Sequence, residues 1–243
     1  MQRLARARVA VFGIGGVGGY VCEALCRSGV GALDLIDCDT VSITNLNRQI
    51  IALRDTVGRL KTDVMRERLL NINQELTVRV YPVLALPENM DDFPFAEYDY
   101  AVDAVDTVAA KVALAEICER TKTPLISSMG TGNKLDPSRL TVTDISRTRT
   151  DPLARAVRQA LRKRGIVRLQ VVWSDEEPLT PIALDDGEQP APGRRAVPGS
   201  TAFVPPAAGL LIASRVVRDI AAGEIPADRI PQSVKQEAPC PGK

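Results

Sequence analysis

The amino-acid sequence predicts an α/β fold: a Rossmann-like, doubly wound, mostly parallel sheet with an antiparallel extension in its C-terminal part. An apolar run, RVAVF, leads directly into the glycine-rich turn GIGGVG at residues 13–18. Strand-like and helix-like patterns then alternate as far as residue 130, which is typical of parallel strands joined by right-handed crossovers. After Gly132 this alternation ends, and two strand-like runs flank a basic helix.

Each element is predicted from its own pattern. Short apolar runs predict buried strands, at residues 8–12, 33–36, 76–80, 98–105 and 124–128. Apolar residues at helical spacing predict helices, at residues 17–28, 58–71 and 108–120. The later part contains strands at 140–144 and 169–173, a helix starting near Asp151-Pro152, a Pro-, Gly- and acid-rich loop at 174–204, and an apolar helix at 207–220 opened by Pro205-Pro206.

Composition is that of a globular, water-soluble protein. The chain has 243 residues, of which 45% are hydrophobic and 25% charged, with a net charge of +1. No apolar stretch approaches the roughly 20 residues that a membrane span needs. We therefore expect a cytoplasmic protein without membrane association.

The small net charge hides a strong segregation. Residues 139–168 hold nine basic side chains against two acidic ones, whereas residues 175–188 hold six acidic side chains and no basic one. Segregation of this kind favours a polyanionic partner for the basic half. The alternative is an arginine-rich helix that is merely solvated.

Two absences restrict the chemistry. The chain has no histidine, which excludes a histidine base or metal ligand. The five cysteines contain no CxxC pair, so we expect no zinc site of usual composition. Cys22 and Cys26 are one helical turn apart behind the glycine turn and are predicted to be packing residues.

The glycine turn predicts a nucleotide site. Gly13, Gly15, Gly16 and Gly18 lie between a strand and a helix, where such residues allow a tight turn, close approach of phosphate, and helix-on-strand packing. The helix N-terminus adds free N–H groups. Asp37, at the end of the second strand, is placed to accept hydrogen bonds from ribose hydroxyls, and Asp39 follows it.

The residues that follow favour ATP over NAD. Asn45 and Arg48 lie shortly after the ribose-binding acid, and Lys61 begins the next helix. Two fixed cations suit a triphosphate with a departing pyrophosphate. Asp103 and Asp106 end a later strand, where a carboxylate can hold Mg²⁺ between phosphate oxygens. Asp106 could instead serve only as a helix N-cap.

This combination resembles the ubiquitin-activating-type adenylation superfamily, whose members include the enzymes that adenylate sulfur-carrier proteins. The stretch GTGNKLDPSRLTVTDISRTRTDPLARAVRQALRKRG is similar to the tRNA threonylcarbamoyladenosine dehydratase family, which uses ATP to cyclise a threonylcarbamoyl group on the adenosine beside the anticodon. The missing CxxC pairs, and the lack of a cysteine between Cys118 and Cys240, favour the dehydratases because they need no thioester.

The resemblance implies roles for particular residues. Arg48, Lys61 and Asp106 would be catalytic, with Asp106 also holding Mg²⁺. The nucleotide would be bound by Gly13, Gly15, Gly16, Gly18, Asp37, Asp39, Asn45, Arg48 and Lys61. The anticodon stem-loop of tRNA would be bound by Arg155, Arg158, Arg162, Lys163 and Arg164. A homodimer is implied, and sulfur-transfer partner proteins remain open.

The predicted organisation is one ATP-binding adenylation domain over residues 1–222. It comprises a core at 7–135, a tRNA-facing extension at 136–204 and a closing helix at 205–222, with a flexible tail at 223–243. Three alternatives remain at this point: adenylation of the C-terminus of a ubiquitin-like sulfur-carrier protein, a non-catalytic nucleotide-binding scaffold, and an NAD dehydrogenase.

Overall fold

The computed structural model describes residues 2–180, 199–223 and 225–233. Its strands are β1 (Arg8–Phe12), β2 (Ala32–Ile36), β3 (Thr77–Tyr81), β4 (Tyr100–Asp103), β5 (Leu125–Ser128), β6 (Leu140–Asp144), β7 (Ile166–Arg168), β8 (Gln170–Ser174) and β9 (Gln232–Ser233). Its α-helices are α1 (Gln2–Arg6), α2 (Gly18–Arg27), α3 (Lys61–Ile72), α4 (Val108–Thr121), α5 (Pro152–Arg162) and α6 (Val204–Ala222).

The main sheet has seven strands in the order β3-β2-β1-β4-β5-β8-β6. Neighbouring strands from β3 to β8 pair in parallel, and only β6 runs antiparallel, against β8. The predicted mostly parallel sheet with an antiparallel extension is therefore confirmed. Strand order reverses between β1 and β4, and in such sheets the crevice beyond the carboxyl ends of these strands is where ligands bind.

Helices cover both faces of the sheet. On one face α2, α3 and α6 pack together over side chains such as Val11 and Leu35, and Cys22 and Cys26 are buried there as predicted. On the other face α4 and α5 cover Phe12 and Val171. The five inner strands, β1, β2, β4, β5 and β8, are therefore buried on both sides, as their mostly apolar sequences require.

Two predicted boundaries shift for local reasons. Helix α3 begins at Lys61 and not at residue 58, because Gly58 has φ +89° and Leu60 is held in extended conformation by an isolated antiparallel bridge to Thr40. Strand β4 ends at Asp103 and not at residue 105, because the N–H of Val105 turns back to the Asp103 carboxylate, at 3.2 Å. Both shifts occur where the chain enters the crevice.

The folded region continues past the predicted closing helix. Strand β9 pairs with β7, and Arg229 Nε donates to Asp219 Oδ2 of α6 at 2.8 Å. Residues 225–233, which the sequence assigned to a flexible tail, thus contact the fold, while residues 234–243 and most of the predicted acidic loop (181–198) lie outside the described residues. None of the described helices is both long and apolar enough to cross a membrane.

Candidate active site

One cavity of about 460 Å³ occupies the crevice at the switch point. Nearly all residues predicted to bind nucleotide or to act in catalysis line it: Gly13, Gly15, Gly16, Asp37, Asp39, Asn45, Arg48, Lys61 and Asp106. Gly18 lies behind the cavity, where a Cβ atom would overlap the carbonyl oxygen of Gly13. The fold thus brings together, from three separate loops, residues up to 93 positions apart in sequence.

The glycine turn forms the floor of this cavity. Gly13 has φ +90°, and a Cβ atom there would lie 2.7 Å from the carbonyl oxygen of Ala104, so only glycine fits. In the described part of the chain no side chain caps the N-terminus of α2, whose N-cap residue is Val17. The first N–H groups of this helix and its positive dipole end are therefore suited to an anion in the cavity.

Asp37 and Asp39 have different partners at the end of β2. Asp37 Oδ2 accepts from the N–H of Ile14 at 2.6 Å and Oδ1 from the N–H of Asp39 at 2.8 Å. Asp37 therefore fixes the glycine turn, and its remaining lone pairs can still accept from a ribose. Asp39 Oδ2 instead accepts from Lys61 Nζ at 2.7 Å.

The two predicted cations are held at the cavity wall. Lys61 is the first residue of α3, and its side chain is 8% exposed beside an Asp39 carboxylate that is 63% exposed. Arg48 Nη1 donates to the carbonyl oxygen of Thr44 and to Asn47 Oδ1, each at 2.9 Å. Asn45 is buried, and its Oδ1 accepts from the N–H of Ser42 at 3.1 Å.

Asp103 and Asp106 differ in burial: the Asp103 carboxylate is buried, and the Asp106 carboxylate is available in the cavity. Asp103 is fully buried and accepts from Lys111 Nζ at 3.1 Å and from the Ser127 hydroxyl. Asp106 is exposed in the cavity, and within the described residues it makes no hydrogen bond; Thr107 is the N-cap residue of α4. The alternative of a mere helix cap thus lacks support in the geometry.

Asp106 fits a magnesium ion that is shared with a nucleotide. Mg²⁺ keeps several waters and is usually held by one or two carboxylates together with substrate phosphates. An uncommitted carboxylate opposite the glycine turn provides that donor set, whereas Asp103 is already neutralised by Lys111.

Sequence reasoning missed several residues of the cavity. Thr131, from the loop after β5, and Ser200, from the segment before α6, line it far from the glycine motif in sequence. Val83 and Leu84 line it as exposed apolar side chains, suited to contact with a base. Gln49 is 6% exposed, and its Oε1 has no partner in the described part of the chain. Only Gln49 had a local signal, its place beside Arg48.

The basic helix α5 presents its cations unequally. Arg158 Nη1 donates to the carbonyl oxygen of Thr148 at 2.9 Å, so its guanidinium anchors the preceding turn. Arg164 Nε lies 2.9 Å from Glu116 Oε1 in an exposed ion pair. Arg155, Arg162 and Lys163 are exposed and make no ion pair within the described residues. Of the five side chains predicted to contact RNA, these three are therefore the ones that are both exposed and without an ion pair in the described part of the chain.

Comparison with known proteins agrees with this arrangement of fold and cavity. The model of the ThiF family matches residues 1–220. The chain belongs to the ThiF family. Among curated relatives, a tRNA threonylcarbamoyladenosine dehydratase of Bacillus subtilis (strain 168) is 44% identical over 226 residues, which cover 90% of this chain and 89% of that protein.

Solved structures that share this fold contain bound adenine nucleotides. A crystal structure of Escherichia coli tRNA N6-threonylcarbamoyladenosine dehydratase in complex with AMP has a TM-score of 0.83 and 37% identity, covering 91% of this chain and 89% of that one. The same enzyme in complex with ATP has a TM-score of 0.81 and 37% identity, covering 91% and 88%.

Cys38 provides a direct test of the cavity. It is exposed between Asp37 and Asp39 and lines the cavity. Partial burial and the carboxylates of Asp39 and Asp37 raise the pKa of its thiol above the ordinary value, so little thiolate forms at neutral pH. We expect iodoacetamide to label Cys38 slowly at about pH 7 and faster at about pH 9, and saturating ATP to block labelling at both.

The labelling experiment uses a Cys240→Ser variant, because Cys240 lies outside the described residues and Cys22, Cys26 and Cys118 are buried. A Cys38→Ser/Cys240→Ser double variant is the control that must stay unlabelled. Equal labelling rates with and without ATP would show that the nucleotide does not occupy this cavity.

Proposed function

We propose that this protein is an ATP-dependent tRNA threonylcarbamoyladenosine dehydratase, which cyclises the threonylcarbamoyl group by adenylating its carboxylate. The observation that carries the proposal is the content of one cavity: an uncapped helix N-terminus, the cations Arg48 and Lys61, and the available carboxylate of Asp106. A 44% identical relative bears this name. A mere dinucleotide site would not need two cations and a free carboxylate together.

In the first step a carboxylate oxygen of the substrate attacks the α-phosphorus of ATP, and the bond to the bridging oxygen of pyrophosphate breaks. Arg48 and Lys61 stabilise the charge that moves onto the leaving group. Lys61 must exchange the Asp39 carboxylate for a phosphate oxygen, which costs little because Asp39 is largely exposed. Asp106 would hold Mg²⁺, which would neutralise phosphate charge.

In the second step the carbamoyl group attacks the acyl carbon of the mixed anhydride within the same nucleoside. The ring closes and AMP leaves, so the nucleoside loses one water overall while ATP becomes AMP and pyrophosphate. An attack within one molecule gains from proximity, and no protein nucleophile is required. Cys22, Cys26 and Cys118 are buried, and the raised pKa of the exposed Cys38 thiol leaves little thiolate in the cavity at neutral pH, which agrees with such a mechanism.

The partner follows from the charge of the C-terminal half. Arg155 and Arg162 of α5 and its C-cap residue Lys163 are exposed cations, which suit the phosphates of an anticodon stem. Phosphate contacts give affinity that falls with salt concentration. The protein would bring the modified adenosine to the cavity while α5 contacts the stem.

The decisive experiment measures conversion of ATP to AMP with tRNA that carries threonylcarbamoyladenosine and with unmodified tRNA. We expect AMP only with the modified tRNA, together with the loss of one water from the nucleoside by mass spectrometry. An Asp106→Asn variant should lose most of this activity while retaining its fold.

Two other outcomes would contradict the proposal. AMP formation that requires a sulfur-carrier protein would select the carrier adenylyltransferase, and ATP binding without any AMP formation would select the inactive scaffold.

The RNA-contacting face is tested by salt dependence. An Arg155→Ala/Arg162→Ala/Lys163→Ala variant should bind tRNA more weakly and lower the slope of log affinity against log salt by about 2 to 3, since each lost phosphate contact removes roughly 0.7–0.9. Arg59→Ala/Arg120→Ala is the control, because both residues are exposed and paired with acids elsewhere. An unchanged slope in the triple variant would contradict this assignment.

The homodimer is part of the same proposal. Three apolar side chains, Ile43, Leu53 and Val57, are 64%, 54% and 40% exposed in the segment between β2 and α3, and exposed apolar groups of this kind often mark protein contacts. Sedimentation should give twice the chain mass of 26.2 kDa, and Leu53→Asp should shift the protein towards the monomer. A monomeric wild-type protein would refute the dimer.

A further inference from the structure

A short loop after β5 connects the nucleotide cavity with helix α5. We call this segment, residues 129–133, the substrate loop. Its Thr131 lines the cavity. Asn133 has φ +58°, its N–H donates to the carbonyl oxygen of Gly199 at 2.7 Å, and its Oδ1 accepts from the N–H of Gly199 at 2.7 Å. The loop is thus ordered by contacts on its far side as well as by β5.

Two buried lysines hold the ends of the substrate loop. Lys111 Nζ donates to the carbonyl oxygen of Ser128 at 2.7 Å, just before the loop, and pairs with Asp103. Lys134 follows the loop, and its Nζ donates to the carbonyl oxygen of Gly130 at 2.9 Å and to Asp151 Oδ2 at 3.0 Å. Both lysine side chains are essentially excluded from solvent.

The Lys134–Asp151 pair joins the loop to the helix predicted to contact RNA. Asp151 is the N-cap residue of α5, and its Oδ1 accepts from the N–H of Ala154 at 2.8 Å while Oδ2 pairs with Lys134. A Cβ atom on Gly130 would lie 2.9 Å from Asp151 Oδ2. One carboxylate therefore caps α5, binds the lysine and packs against the loop backbone.

Stability alone is a weak reason for such a pair. Removing two charges from water is costly, and well-packed apolar residues in place of a buried ion pair are often as stable or more so. The pair provides fixed geometry, because its hydrogen bonds set the distance between the loop and the first turn of α5.

We propose that Lys134 is a positioning residue: with Asp151 it holds the substrate loop so that the Thr131 side chain faces the group being adenylated, while α5 stays fixed relative to the cavity. The inference rests on the proposed function, because it assigns the loop to that reaction. Thr131 would contact the substrate, and Lys134 would act through the loop.

The test is a Lys134→Met/Asp151→Asn double variant. It removes both charges together, so neither partner is left buried alone, and asparagine remains a good N-cap residue. We expect the melting temperature to fall by about 2 to 12 °C, because the Gly130 carbonyl oxygen loses its lysine donor, and the dissociation constant for ATP to stay unchanged. We also expect kcat for tRNA-dependent AMP formation to fall about 10- to 100-fold with little change in KM for ATP, as misplacement near a reacting group does.

A matched control separates positioning from general destabilisation. Arg229→Met/Asp219→Asn removes another pair, at 2.8 Å, whose side chains are 12% and 7% exposed and which does not contact the loop, and it should keep a wild-type kcat. Thr131→Ala should lower kcat about tenfold, and Thr131→Ser should restore it, because the hydroxyl is the proposed contact. A wild-type kcat in Thr131→Ala, or in the folded Lys134→Met/Asp151→Asn protein, would overturn the inference.

Amide hydrogen exchange tests the contact between Lys134 and the substrate loop independently of the proposed function. Amides of residues 131–133 should exchange faster in the Lys134→Met/Asp151→Asn variant than in the wild type or the control, with no substrate present. Unchanged exchange would contradict a loop held by Lys134, whatever the enzyme does. Wild-type protein that forms no AMP with modified tRNA would instead refute the proposed function.

Discussion

Two turns of backbone meet at the switch point of the sheet with no side chain between them. The turn after β1 contacts the turn after β4 at Gly13, where a Cβ atom would lie 2.7 Å from the Ala104 carbonyl oxygen, and Gly18 packs on Gly13 in the same way. This approach closes the back of the cavity and sets the N-terminus of α2 opposite Asp106. A side chain at either glycine would separate the two turns and, with them, the anion-binding helix and the available carboxylate.

The four aspartates at the crevice differ in their hydrogen-bond partners, and these partners decide which carboxylate is available to a ligand. Asp37 is bound by backbone N–H groups of the glycine turn and of Asp39, and Asp39 pairs with Lys61. Asp106 is left available, while Asp103, close by in sequence, is buried and neutralised by Lys111. Similar carboxylates thus acquire separate functions from their surroundings, and among these four residues of the described chain Asp106 is the one that remains available to hold a cation beside a polyanion.

Local pattern predicted the parts of the molecule that local forces determine. The strand before the glycine turn, the helix after it and the acid at the end of β2 follow from apolar runs and glycine spacing. The start of α3 did not, because a bridge between Thr40 and Leu60 keeps the chain extended there. Arg158 has the same sequence signature as Arg155, and only tertiary structure reveals that it anchors the turn at Thr148. Thr131 and Ser200 reach the cavity by chain topology, which no local pattern encodes.

The buried lysines follow from where the sheet ends. Beyond the carboxyl end of β5 the chain leaves the sheet. The carbonyl oxygens of Ser128 and Gly130 there accept hydrogen bonds from side chains and not from the N–H groups of a neighbouring strand. Lys111 and Lys134 donate to these oxygens, at 2.7 and 2.9 Å. An apolar side chain of equal size would fill the space but leave the carbonyls unpaired, at a cost of about 1–3 kcal/mol each. Each ammonium group then needs a counter-charge, which Asp103 and Asp151 provide. The need to satisfy backbone groups at the edge of the crevice thus explains why ion pairs, and not apolar contacts, connect the cavity to the basic helix.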